Sequence, residues 1–268
     1  MFEVNDPEFH WFLQEVKKKL GIDLTGYKQH RVHRRVGILM KRHSVESYRE
    51  YLKMITSDPA LRDEFLDKMT INVTEFFRNP EKWRELKERF LPEIIKEKGT
   101  RNLKMWSAGC STGEEPYTMA IILVELRIPE TVHVLATDID PWVLEKARKG
   151  VYTKRSLVNL TPDMVSKYFI RHDEDQYEVK PFLKERVIFR RHDLVQDPYD
   201  RNLDLIVCRN VLIYFDEPTK KRIYEKFADS LRAGGIIFVG STERILNANE
   251  LGLRMVSPFI YRKTAEDR

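Results

Sequence analysis

The chain has 268 residues, enough for one large domain or two modest ones. A 42% hydrophobic content supplies a packed core and argues against wholesale disorder, and no apolar run approaches the roughly 20 residues that span a bilayer. Two cysteines, Cys110 and Cys208, argue against a disulfide framework, and the formal net charge of +5 makes the placement of charge more informative than its sum. The acidic start, Met-Phe-Glu-Val-Asn-Asp, lacks the basic region and apolar core of a signal peptide, so a cytoplasmic protein is expected.

Up to about residue 100 the pattern is helical, with charged and apolar positions in period and few β-branched runs. Within it, Tyr27–Ser44 holds no acidic residue. It carries Lys28, Arg31, Arg34, Arg35, Lys41 and Arg42. On a helix Val32, Val36 and Leu39 share one side, while Arg31, Arg35 and Arg42 run along another. The first stripe is expected to pack inward and the second to meet an acidic partner, with nucleic acid or plain solvation as alternatives. No aromatic residues are interleaved with the cations, so a stacking platform for single strands is not expected.

From residue 103 onward, apolar runs alternate with amphipathic helices. Strands are expected at Leu103–Ala108, Val132–Thr137, Val187–Arg190, Leu203–Cys208 and Ile236–Gly240. Helices fit Glu115–Leu126, Pro141–Lys149 and Glu217–Arg232, the last stopped by Gly234-Gly235. Met255–Tyr261 is expected to add an edge strand. The alternation predicts a parallel sheet covered on both faces. An insert interrupts it, in which Lys167–Arg171 and Gln176–Val179 flank His172-Asp173-Glu174-Asp175 as a small hairpin.

"WSAGCSTGEEPYT", residues 106 to 118, joins the first strand to the next helix. Three chemistries use such a loop. A dinucleotide fingerprint needs G-x-G-x-x-G, but only Gly109 and Gly113 are present. Gly109 to Gly113 also fit G-x-S-x-G with Ser111 as nucleophile. That elbow needs strands before it and a late histidine; the upstream region is helical and the last histidine is His192. S-adenosylmethionine needs only close backbone approach, a carboxylate at the end of the next strand for its ribose, and a polar group after the third strand for its adenine. Asp138 and the stretch His192-Asp193-Leu194 stand at those places. Asp138 can alternatively cap the helix that starts at Pro141. Order and spacing favour the methyltransferase.

Four stretches together resemble the CheR family of chemotaxis receptor methyltransferases: "MTINVTEFFRNP" (69–80), "WSAGCSTGEEPYT", "ATDID" (136–140) and "CRNVLIYFD" (208–216). "GSTE" at 240–243 fits as well. The resemblance runs over essentially the whole chain. It implies an α/β fold in which a Rossmann-like S-adenosylmethionine-dependent methyltransferase domain carries a small antiparallel β-subdomain and follows an all-helical N-terminal domain. On that plan residues 1–70 form the helical domain, 71–100 a linker with a cofactor-contacting motif, and 101–268 the methyltransferase domain, with the insert at about 152–186.

The resemblance assigns cofactor contacts to Asn72, Thr74, Arg78, Glu115, Asp138, Asp193, Leu194, Arg209 and Asn210, and the glycine loop adds Gly109 as the point of close backbone approach. Glu115 is preferred over Glu114, and position 193 is often Asn in the family. Arg78 and Tyr214 are the candidates to position the reacting groups, with a surface arginine and a core aromatic as the plain alternatives, and the basic helix, through Arg31, Arg34, Arg35 and Arg42, is the candidate receptor-binding surface. The implied reaction moves a methyl group onto glutamate side chains in the cytoplasmic helical bundle of chemotaxis receptors, with recruitment to membrane receptor arrays and no membrane insertion. No metal is implied. Enzymes that methylate nitrogen commonly carry Asp/Asn-Pro-Pro-aromatic where this chain has Arg209-Asn210-Val211-Leu212, which argues against a nucleic-acid substrate. The alternatives are a nucleic-acid methyltransferase using the basic helix and a non-enzymatic binding module. Some family members dock a C-terminal receptor pentapeptide on a Gly-containing turn of the β-subdomain. The corresponding turn here, residues 172–175, has no glycine and three acids, so such a tether is not expected.

Overall fold

The computed structural model describes residues 6–70 and 74–265. The chain forms two compact units, Met1–Asn72 with Tyr214–Lys220, and Val73–Ile213 with Lys221–Arg268. No described helix is long and apolar enough to cross a membrane.

Among the described residues, four helices make up most of the first unit. Helix α1, Pro7–Leu20, starts where Asp6 accepts from the amides of Glu8 and Phe9 and stops at left-handed Gly21, while Phe9, Phe12, Leu13 and Val16 form its buried stripe. Helix α2, Gln29–Arg42, buries Val32, Val36 and Leu39 as the pattern predicts. Ser47 caps α3, Tyr48–Ser57, by accepting from the Glu50 amide, and Asp58 caps α4, Pro59–Thr70, in the same way. The segment Tyr214–Lys220 returns to this unit: Tyr27 bridges Phe215, and Asp216 N donates to Gly26 O.

The second unit opens with α5, Pro80–Glu85, which runs through a π-helical turn at Leu86–Phe90 into α6, Leu91–Lys98. Expected as a linker, this stretch instead supplies Trp83, Leu86, Phe90, Leu91 and Ile94 to the main core. Its strands are β1 (Met105–Ala108), β2 (Val134–Asp138), β3 (Val151–Thr153), β4 (Phe169–Arg171), β5 (Gln176–Val179), β6 (Val187–Arg191), β7 (Leu203–Cys208), β8 (Leu231–Val239), β9 (Leu253–Ser257) and β10 (Ile260–Lys263). Its further helices are α7 (Glu114–Glu125), α8 (Pro141–Lys149), α9 (Pro162–Tyr168), α10 (Pro181–Lys184) and α11 (Glu217–Ser230), whose first turn belongs to the other unit.

The large sheet has the order β6-β2-β1-β7-β8-β10-β9. β6 through β8 pair in parallel, and β10 and β9 close the edge antiparallel. The all-parallel expectation fails at this edge. Met255–Tyr261 is not one strand, because Phe259 at φ 71 turns the chain and makes a hairpin of two. Gly234-Gly235 does not stop the preceding helix either. That helix ends at Ser230, and both glycines lie inside β8. A Cβ at Gly235 would sit 2.8 Å from Leu203 O, at the register shift between β7 and β8, so close backbone approach explains the glycine there.

The insert holds a second sheet, order β3-β5-β4, antiparallel throughout. It has three strands where the sequence suggested a hairpin. Lys167 and Tyr168, expected in a strand, end α9 instead, because Thr161 accepts from the Met164 amide and Pro162 supplies the first turn.

Candidate cofactor site

The carboxyl ends of β1, β2, β6 and β7 gather the loops of the second unit, where open α/β sheets bind ligands. After β1, Gly109 and Cys110 donate their amides to Thr137 O at 2.8 and 2.9 Å, which folds the glycine loop back over β2. Gly109 (φ 77) and Gly113 (φ 98) are left-handed, and Ser111 joins them at φ 48. A Cβ on Gly109 would lie 2.6 Å from Val211 Cγ2, and one on Gly113 2.9 Å from Ala147 Cβ. The loop is therefore closely packed backbone. Ser111 N turns to Asp138 Oδ2 at 2.9 Å, and His192 places Nε2 against Pro198 O while Nδ1 has no hydrogen-bond partner, so this histidine does not serve a Ser111 elbow.

Asp138 ends β2, half-buried. Its oxygens accept from Ser111 N and Asp140 N, and burial nonetheless pushes its carboxyl up to about 6. Asp140, not Asp138, caps α8 by accepting from Trp142 N at 2.8 Å, which leaves Asp138 available to a ligand. At the start of α7 the two glutamates diverge. Glu114 is buried and accepts from Thr112 Oγ1 and Ser156 Oγ. Glu115 is half-buried, accepts from Ser107 Oγ at 2.8 Å, and is raised to about 7 by burial, against the opposing pull of Arg209.

Arg78 sits in a turn between two residues forced left-handed without glycine, Phe77 (φ 50) and Asn79 (φ 61). Each costs on the order of 1 kcal/mol, so the surroundings must hold the turn. They do: Phe76 N donates to Ser156 O, Phe77 N to Thr118 Oγ1, and Asn159 Nδ2 to Phe76 O. Thr74 lies half-buried ahead of it, and Asn72 lies outside the described residues. After β7, Arg209 is buried over the Trp83 and Phe238 rings, 5.5 and 4.7 Å from their centroids, and donates to Asn79 Oδ1 at 2.6 Å. Its Nε is buried without a hydrogen-bond partner. Asn210 is left-handed at φ 60.

After β6, Asp193 accepts from the amides of Val195 and Gln196 and so shapes its own turn. Leu194 is buried, and its carbonyl takes Tyr199 Oη and Lys226 Nζ. Asn79, Ser107, Lys226 and Glu243 were not anticipated in these roles. Only "GSTE" pointed towards one of them, Glu243.

Tyr214 belongs to the first unit. There Arg35 differs from its expected place on an exposed stripe: it is only 8% exposed, donates to Met69 O at 2.8 Å and lies 5.5 Å from the Tyr214 ring centroid. Position 35 adjoins the buried Val36 and Leu39, so the packing face claims it. Arg42 is exposed but bonded to Glu64, which His43 also contacts. Arg34 and Lys41 are exposed and Arg31 half-buried.

A glycine loop with no room for side chains, a carboxylate ending β2 and half-buried charged groups around them fit a cofactor bearing hydroxyls, a carboxylate and cationic centres. Together with the sheet order they define a Rossmann-like, S-adenosylmethionine-dependent methyltransferase. The chain belongs to the CheR methyltransferase family, matching its all-alpha domain over residues 7–70 and its SAM binding domain over residues 72–258. It is 40% identical over 259 residues to a chemotaxis protein methyltransferase of Listeria innocua, covering 97% of this chain and 98% of that one. It is also 34% identical over 252 residues to chemotaxis protein methyltransferase 1 of Pseudomonas aeruginosa, covering 90% and 92%. A chemotaxis protein methyltransferase of Borreliella burgdorferi is 32% identical over 271 residues, covering 97% and 95%.

Proposed function

We propose that this enzyme methylates glutamate side chains in the cytoplasmic helical bundles of chemotaxis receptors, forming glutamyl methyl esters at the receptor arrays. The observation that carries the reading is the loop after β7: a guanidinium and a left-handed asparagine, Arg209-Asn210, stand where amine methylases present prolines and an aromatic ring. Full-length likeness to relatives named for chemotaxis methylation supports it.

Bound S-adenosylmethionine supplies a methyl group on a sulfonium centre. Asp138 would accept from the ribose hydroxyls, and Glu115 would hold the ammonium of the methionine part. Gly109 admits the backbone close to the cofactor. Thr74, Asn72, Asp193, Leu194 and Asn210 complete the seat in this proposal. The acceptor glutamate is ionised at neutral pH, with a reference pKa of about 4.3, so no residue has to remove a proton. What the protein contributes is alignment, which supplies several kcal/mol when reacting atoms are held in line. Arg78 and Tyr214 are assigned that task. Tight pairing of Arg78 with the substrate carboxylate would stabilise the ground state, so positioning is the useful contribution.

Receptor recognition falls to the cations of α2, chiefly the exposed Arg34 and the half-buried Arg31, with Arg42 shared with Glu64. A C-terminal tether is not part of the proposal. In the turn at 172–175, Asp173 Oδ1 already accepts from the amides of Asp175 and Gln176, and the remaining acids oppose an acidic peptide. The test is incorporation of labelled methyl from S-adenosylmethionine into receptor cytoplasmic fragments. Label released as methanol by mild alkali is the expected result. Alkali-stable label, or label entering nucleic acid, contradicts the proposal.

A further inference from the structure

Glu243 is the remaining buried carboxylate beside the cofactor loops, 5% exposed, in the "GSTE" stretch that the cofactor assignment leaves without a role. Its Oε2 accepts from Asn210 N at 2.6 Å and Gly240 N at 2.8 Å, and its Oε1 from Leu212 N at 2.6 Å and Ile213 N at 3.3 Å. A carboxylate offers about four acceptor positions, so these amides saturate it and leave nothing for a ligand. Burying an ionised carboxyl is costly unless it is fully hydrogen-bonded, and an apolar residue would fill the space at less cost. What the carboxylate adds is a fixed geometry for three amides of one short loop.

That loop forms a wall of the site. Asn210 is held left-handed at φ 60, and Arg209 is stacked on Trp83 and Phe238. Val211, between two clamped amides, is the residue against which Gly109 packs with no room for a Cβ. The clamp is itself crowded: a Cβ on Gly240 would lie 2.5 Å from Glu243 Oε2 and 2.7 Å from Asn210 N.

We propose that Glu243 is a positioning residue for the cofactor, fixing the Arg209–Ile213 loop and with it the spacing between that loop and the glycine loop at Gly109. The inference rests on the assignment of Arg209, Asn210 and Gly109 to the cofactor seat. Glu243→Gln keeps the shape but turns an NH2 donor onto N–H donors, so it breaks the clamp without opening a cavity. Gly240→Ala attacks the same clamp from the other side.

The test is calorimetric titration of the full chain with S-adenosylmethionine, paired with hydrogen exchange of residues 209–213 in the unliganded protein. Asp138→Ala serves as the reference variant. The expected result is at least a tenfold loss of affinity in both clamp variants, faster exchange confined to 209–213, and a retained cooperative thermal transition. Affinity within twofold of wild type in Glu243→Gln, where Asp138→Ala has lost binding, overturns the proposal and leaves the cofactor assignment standing. Unchanged affinity in Asp138→Ala and Glu243→Gln alike overturns the assignment and the proposal with it. A Glu243→Gln chain that does not fold also overturns the proposal, because the carboxylate would then hold the domain and not the loop.

Discussion

The two units handle charge in opposite ways. In the second, Glu114, Glu115, Asp138, Arg209 and Glu243 are drawn inward around a sheet end and held by backbone amides, hydroxyls and ring faces. In the first, the cations of α2 divide: Arg35 is buried in packing, Arg42 is bonded to Glu64, and Arg34 and Lys41 are left to solvent. A basic stripe on a helical wheel is therefore a smaller exposed charge than the sequence suggests. The buried charges of the second unit are gathered at one sheet end, because loop geometry and not helix periodicity places them.

The largest effect that can break this comparison is at Arg35. Removing its side chain leaves Met69 O without its donor and a void beside the Tyr214 ring. Arg35→Ala is expected to cost about 2–4 kcal/mol of stability, read by thermal or denaturant unfolding, with cofactor affinity unchanged. A stable Arg35→Ala that loses only receptor methylation would return Arg35 to the partner-facing set.

Arg78→Lys comes next. A point ammonium does not replace a planar guanidinium fork, so turnover is expected to fall at least about tenfold with little change in unfolding midpoint. Wild-type turnover in this variant would remove Arg78 from the aligning role.

The pH dependence is of similar or smaller size. Burial holds Glu115 near 7 and Asp138 near 6, both above their ordinary values. Below those values the folded protein carries protons that a cationic cofactor seated against these carboxyls would have to displace. Affinity for S-adenosylmethionine should therefore weaken as pH falls from 8 to 6, by up to about tenfold per group, and Glu115→Gln should flatten the part of the slope near 7. For the unliganded fold the sign is reversed. Between about 4.5 and 7 the folded carboxyls keep protons that the unfolded chain has released, so stability falls as pH rises through that window. A pH-independent affinity would show that these carboxyls do not meet the cofactor.

The smallest effects belong to the exposed cations. Arg34→Glu and Lys41→Glu should leave stability within about 0.5 kcal/mol of wild type. Each exposed ion pair contributes about 0–1 kcal/mol, so receptor methylation should weaken stepwise and more steeply at low salt. Loss of methylation that is insensitive to salt would point to contacts other than charge.

How much of this was legible in the sequence follows the same division. The places of the glycine loop after β1, of Asp138 at the end of β2 and of the loop after β7 were readable because small residues and a strand-ending carboxylate act over a few positions. Glu114 and Glu115 were separable only in three dimensions, where Ser156 of the insert meets one and Ser107 of β1 the other. The inserted β-sheet was half visible: β5 was clear, while β3 is a three-residue strand and α9 depends on a Thr-Pro start that resembles a turn. Gly234-Gly235 misled because a pair of glycines after a helical pattern usually stops it, whereas here Gly234 is left-handed at φ 80 and Leu203 O demands the small size of Gly235 within a strand. Arg35 misled because periodicity gives a direction around the helix and not the depth of the neighbour that meets it.

In the proposed function the second unit seats the cofactor through Asp138 while the basic helix serves another purpose. Calorimetric titration of S-adenosylmethionine into Asp138→Asn and Arg34→Glu, side by side with wild type, tests it most directly. Loss of a charge-assisted hydrogen bond amounts to about 1.5–3 kcal/mol, so Asp138→Asn should bind at least about tenfold more weakly. Arg34→Glu should bind as wild type does. Equal affinity in wild type and Asp138→Asn, or a tenfold loss in Arg34→Glu, would contradict the account.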